Sequence, residues 1–99
     1  MYGMQGRFTA QPGKGDELAA ILLEAANALR RDDDCLLYVI GRLPDDAEAV
    51  LVYEVWKSAE AHGASLEREE TKAAIERGRP LIAGMSDRVE FEPAGGKGI

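Results

Sequence analysis

Two short stretches of this 99-residue chain are apolar on both sides of an extended backbone, and this limits the fold more than any other feature. Cys35-Leu36-Leu37-Tyr38-Val39-Ile40 is apolar at every position, and Ala49 to Trp56 is apolar except for Glu54. Side chains of a strand alternate between its two faces. Leu36, Tyr38 and Ile40 therefore share one face of the first run, and Cys35, Leu37 and Val39 the other. In the second run Leu51, Tyr53 and Val55 part from Val50, Val52, Glu54 and Trp56. A sheet built from such strands must be covered on both faces, and so short a chain carries helix enough for only one.

That helix cover is legible. Leu18, Ile21, Leu22, Ala25 and Leu29 recur at helical spacing, with Asp16 as a candidate N-cap and Arg30 and Arg31 at the C-terminal end. A second helical stretch begins after Ser58, another candidate cap, and Gly63 is expected to interrupt it. Good helix formers resume from Leu66 and stop at Gly78 and Pro80. Tyr2 to Thr9, ending at Gln11-Pro12-Gly13, reads as a first strand. Met85 to Phe91, where Val89 and Phe91 alternate with charged residues, reads as a last one. The short turn around Pro44-Asp45-Asp46 makes the two apolar strands an antiparallel hairpin.

The order is β-α-β-β-α-β, an α+β ferredoxin-like arrangement with helices on one face of an antiparallel sheet. Residues 1–93 form one domain, and 94–99 are expected to be a frayed tail. The other sheet face, expected to carry Trp56 with Tyr53 turned toward the helices, holds too much apolar surface to remain wet. A homodimer stacked through those faces is the expected solution.

Charge narrows the partners. With 18 acidic and 12 basic residues the net charge is −6, and no cluster of Lys and Arg occurs. Nucleic acid and anionic membrane surfaces both reward a basic patch, so neither is expected. Apolar runs are too short to cross a bilayer, and Met1 to Arg7 lacks the basic head and apolar stretch of a signal peptide. The expected location is the cytoplasm. Cys35, the only cysteine, has three aspartates before it, which would raise its pKa, and is read as a small buried hydrophobe. One His and one Cys are too few for a metal site, and no glycine-rich loop precedes a helix, so no metal or nucleotide cofactor is expected.

Several segments, in order, resemble the antibiotic biosynthesis monooxygenase family: Phe8 to Lys14 before a helix, Cys35 to Tyr38, Pro44-Asp45-Asp46, Tyr53-Glu54-Val55-Trp56, and Ala61-His62. The most telling is an aromatic-Glu-X-Trp strand end followed six residues later by His. The resemblance implies a dimeric α+β barrel and a reaction of O₂ with a reduced polycyclic aromatic or quinol, needing neither metal nor flavin. It also spans haem-degrading members and many without known activity, so fold does not settle function. A small aromatic quinol or polyketide-like phenol is the expected substrate; a non-catalytic ligand-binding or structural dimer is the alternative.

Each candidate site residue has two readings. Trp56 is either an aromatic wall for a flat substrate or a packing residue. Glu54, on the same strand face, is either a proton-transfer carboxyl with a raised pKa or an Arg-paired structural group. His62 is either a base that ionises a phenol or an ordinary surface-helix histidine. Phe8, Tyr38 and Val52 are expected to shape the cavity, Phe8 and Tyr38 alternatively lying at the dimer seam. The resemblance has gaps. Val52 stands where polyketide-oxidising members have an Asn, and Asn27 is the only asparagine. The haem-degrading branch shares Val55-Trp56-Lys57-Ser58, but where it has an iron-binding His this chain has Ile75, and near Gly6 an expected Asn is absent. Haem degradation is therefore not expected.

Overall fold

The computed structural model describes residues 1–99. Its strands are β1 (Tyr2–Ala10), β2 (Cys35–Leu43), β3 (Asp46–Trp56) and β4 (Ile82–Phe91). Its helices are α1 (Gly15–Ala28), α2 (Ala59–Ser65) and α3 (Glu69–Gly78), with 3₁₀ turns at Leu29–Arg31 and Arg79–Leu81. All pairings are antiparallel, in the order β2-β3-β1-β4. This is the ferredoxin-like α+β arrangement, with the last helical unit divided between α2 and α3.

Local chemistry accounts for most boundaries. Pro44 and Asp45 form the tight connection between β2 and β3. Ser58 caps α2: its Oγ accepts from the Ala61 N–H at 3.1 Å. Asp16 does not cap α1. The cap position is Lys14, without a side-chain bond, and Asp16 instead meets Arg42 of β2 at 3.0 Å. Gly15 can open the helix there because a Cβ would lie 1.9 Å from the Ala47 carbonyl oxygen. Gly63 does not interrupt α2, which runs through it to Ser65; a single helical glycine costs only about 1 kcal/mol relative to alanine. The break comes later, at Leu66–Arg68.

Strand register fixes the faces, because directly opposed residues point the same way. Tyr2, Met4 and Phe8 of β1 oppose Trp56, Glu54 and Val50 of β3. Ala10 and Val50 pack on Leu18 and Ala19 of α1, with Phe8, Leu22 and Ile40 around them. The helices thus cover the face that carries Val50, Val52, Glu54 and Trp56. This corrects the expected assignment. Trp56 is 1% exposed on the helix side. Tyr53 lies on the open face instead, where its ring stands 5.7 Å from that of Phe91.

On the open face, Val39, Tyr53, Gln5 and Val89 form a row across all four strands. Val39, Tyr53 and Val89 are each at least 40% exposed. Neighbouring Gly3 has no room for a side chain, since a Cβ would come within 2.4 Å of the Phe91 ring. The face remains apolar and uncovered, as expected, but with different residues.

Candidate active site

Between the sheet and the helices lies a cavity of about 510 Å³. The α1 stripe foreseen from spacing lines it: Leu18, Ile21, Leu22, Ala25 and, at the following turn, Leu29. The opposite wall comes from Met4, Phe8, Tyr38, Val52, Glu54 and Trp56 of the sheet. His62 closes one end from α2. Leu66 and Ile75 line the cavity yet are 42% and 41% exposed, which places its mouth between α2 and α3. All six sequence-selected residues (Trp56, Glu54, His62, Phe8, Tyr38 and Val52) therefore meet in one space. Phe8 and Tyr38 are on the cavity side, so neither lies on the open face.

The polar end centres on Glu54, which is 4% exposed. Its Oε1 accepts from Trp56 Nε1 at 2.9 Å and lies 3.4 Å from His62 Nε2. Trp56 and Glu54 stand two apart on one strand and share a face, while Ser58 starts the helix that returns His62 to the strand end. Tyr2 and Trp56 hold the imidazole between them, with ring centroids at 4.9 Å and 5.6 Å. Glu54 is thus not paired to an arginine by contact; its nearest partners are an indole and an imidazole. Oε1 takes both of these contacts.

Burial raises the Glu54 pKa above its ordinary value of 4.5, and the Trp56 hydrogen bond and the charges of His62 and Arg88 only partly oppose this. Tyr38 is also held protonated, first by burial and then by the Glu54 and Cys35 charges. Burial, Glu54 and Asp32, in that order, push the Cys35 thiol up to about 11. The raised value expected from the neighbouring aspartates thus has desolvation as its main cause, and Cys35 does not line the cavity.

One lining residue and one residue behind His62 escaped the sequence reading. Arg88 of β4 supplies positive charge at the cavity and bonds Glu90 at 2.7 Å. Tyr2 stacks on His62. The alternation Met4, Gly6, Phe8 against Gln5, Arg7, Thr9 was the signal that could have placed both the inner face and Tyr2.

Comparisons bear on what such a site belongs to. The model of the antibiotic biosynthesis monooxygenase family matches residues 1–77. Among solved structures, a provisionally named antibiotic biosynthesis monooxygenase from Chloroflexus aurantiacus is 43% identical, with TM-score 0.88 over 96% of this chain and 94% of that one. A protein of the same provisional name from Deinococcus radiodurans, 23% identical over 97% and 95% of the two chains, shares the fold with TM-score 0.82. So does one from Nitrosomonas europaea, 14% identical over 96% and 100%, with TM-score 0.87. No curated protein matches this chain. With its family model spanning most of the sequence and its sheet, helices and cavity disposed as above, the chain belongs to the antibiotic biosynthesis monooxygenase family.

Proposed function

We propose that the protein is a cofactor-independent monooxygenase that oxidises a small aromatic quinol or polyketide-like phenol with O₂, working as a homodimer in the cytoplasm. One observation carries this reading: an apolar cavity whose polar end is a buried carboxyl, its pKa raised by burial, beside an imidazole. An apolar pocket with a few convergent polar groups and a raised carboxyl pKa is the arrangement that acid-base chemistry on an aromatic needs.

The chemistry follows. A phenol or enol seated against Phe8, Val52 and the Trp56 ring gives its proton to Glu54. His62, 3.4 Å from the same carboxyl, offsets the charge that proton transfer moves. The substrate anion transfers an electron to O₂, and the resulting radical and superoxide join at carbon. Glu54 returns the proton to this peroxide, and the hydroperoxide loses water to leave a carbonyl. One oxygen atom enters the product and the other leaves as water. Catalysis on this account rests on position and a preorganised polar end.

A second reading has one observation in its favour. Val52, 3% exposed, stands where the resemblance implies a substrate-holding Asn. A ligand-binding dimer without chemistry would keep such an apolar wall. Oxygen uptake on reduced naphthoquinols and anthrones, without added cofactor, separates the two. Wild type is expected to exceed the autoxidation blank. Glu54→Gln should fall by roughly 10²-fold or more, the usual worth of a positioned acid-base group, and Trp56→Phe and His62→Ala by less. Uptake equal to the blank on every compound would sink the oxygenase reading in favour of the binding dimer.

The dimer is proposed to close over the open face, whose Val39, Tyr53 and Val89 row has no cover within the chain. It would leave the cavity, on the helix side, built from one protomer.

A further inference from the structure

Deprotonation at Glu54 leaves a negative oxygen on the substrate, and the chain must offer that oxygen a hydrogen-bond donor. On the sheet wall of the cavity one donor is fully engaged and a second already holds a neighbouring carboxylate through one nitrogen. Trp56 Nε1 donates to Glu54 at 2.9 Å. Arg88 is paired with Glu90 at 2.7 Å. On the helix side, the Ser65 hydroxyl donates to the His62 carbonyl at 2.6 Å. Two lining hydroxyls are left without such a bond, Thr71 on α3 and Tyr38 on the sheet, and Tyr38 is the one paired with Glu54. It lines the cavity, and its hydroxyl takes part in no side-chain hydrogen bond.

Its position is as informative. Tyr38 is the residue directly opposite Glu54 in the β2–β3 ladder. Directly opposed residues hold their side chains on one face with Cβ atoms about 5 Å apart. A ligand reaching Glu54 therefore lies beside the Tyr38 ring. Burial and the Glu54 charge keep the phenol protonated, hence a donor at any pH at which the protein works.

We propose that the Tyr38 hydroxyl is the donor that holds a carbonyl or phenolate oxygen of the bound aromatic, filling the role that an amide at position 52 cannot. The proposal rests on the reading of this cavity as the substrate site. It adds a specificity: an aromatic with an oxygen acceptor beside the ionising group is preferred to the same skeleton without one.

Calorimetric binding of 1-tetralone and of tetralin tests this without requiring turnover. The two share a bicyclic skeleton and differ by one carbonyl oxygen. Wild type is expected to bind the ketone more tightly. Tyr38→Phe, which removes only the hydroxyl, should weaken the ketone roughly three- to tenfold, the worth of one neutral hydrogen bond, and leave tetralin unchanged. Unaltered tetralin affinity also certifies that the variant is folded. Equal ketone affinity in wild type and Tyr38→Phe would overturn the donor role while leaving the cavity as the binding site. Parallel weakening of both ligands would also overturn it, as lost packing. Binding of neither ligand to wild type would remove the substrate-site reading and this inference with it.

Discussion

Replacing Glu54 with leucine is expected to destabilise the fold in acid and to cost much less in mild alkali. Leucine is apolar and of similar bulk, so no large void opens. What disappears is the acceptor 2.9 Å from Trp56 Nε1. Trp56 is 1% exposed, so water does not replace it. A buried donor left without a partner costs about 1–3 kcal/mol. Against this stands the carboxyl's own burial, which lifts its pKa above 4.5. A group whose folded pKa exceeds its unfolded one contributes stability below the unfolded pKa and loses it as pH rises through the folded value. Wild type therefore declines upward from about pH 4.5 on account of this group, and the leucine variant does not. The gap is widest near pH 4.5 and narrows with rising pH. Thermal melts followed by circular dichroism at about pH 5 and about pH 8 read it directly, each kcal/mol being worth about 4–8 °C in a domain this size. Protein concentration must be fixed, since self-association moves the midpoint. Glu54→Gln, which keeps an acceptor oxygen for the indole, should lose less in acid and exceed wild type at about pH 8. A leucine deficit that is constant with pH would mean an unshifted carboxyl, and one that grows with pH a carboxyl stabilised in its charged form; either would refute the raised pKa.

Two further substitutions probe other parts of the molecule. Gly15→Ala places a Cβ 1.9 Å from the Ala47 backbone oxygen; forcing α1 from β3 should cost about 1–3 kcal/mol, seen as a lower urea midpoint, and an unchanged midpoint would refute the close approach. Val39→Glu with Val89→Glu puts charge on the open face, where both residues are more than 45% exposed; sedimentation should show a dimer for wild type and a monomer for the double variant, and an unaltered dimer would place the interface elsewhere.

The chain's periodicities carried its elements well. The α1 stripe lines the cavity as its spacing implied, and the two apolar runs became β2 and β3. Ser58 was legible as a cap because its oxygen needs only local backbone. Asp16 was not, because a distant partner, Arg42, competes for its carboxylate. Which face of the sheet meets the helices was misread. Alternation sorts a strand's residues into two sets but does not say which set faces inward when both are apolar. The quieter strand held the answer. Gln5 and Arg7 of β1 oppose Tyr53 and Leu51, and their polarity marks that side as the one outside the helix layer. In β2 the register skips between Cys35 and Leu37, which sets Cys35 opposite Trp56 rather than on the far side with Leu37 and Val39. Arg88 could not be found from spacing, since only the folded sheet brings β4 to the Glu54 carboxyl.

The inward turn of Trp56 changes what the buried carboxyl means. Had Glu54 faced the open side, a partner's cation could have matched it, and it would be an interface group. On the helix side it is 4% exposed, with one indole N–H and one imidazole for company. A leucine or valine there would pack against Met4 and Val52 without any cost of desolvation. A single hydrogen bond to an indole returns only about 1 kcal/mol, and a tryptophan N–H could be satisfied by a neutral amide. Stability alone gives no reason for an ionisable group at this position. Proton transfer in the proposed reaction gives one, because it needs an ionisable group inside the cavity, and this carboxyl stands next to an imidazole and opposite the Tyr38 ring.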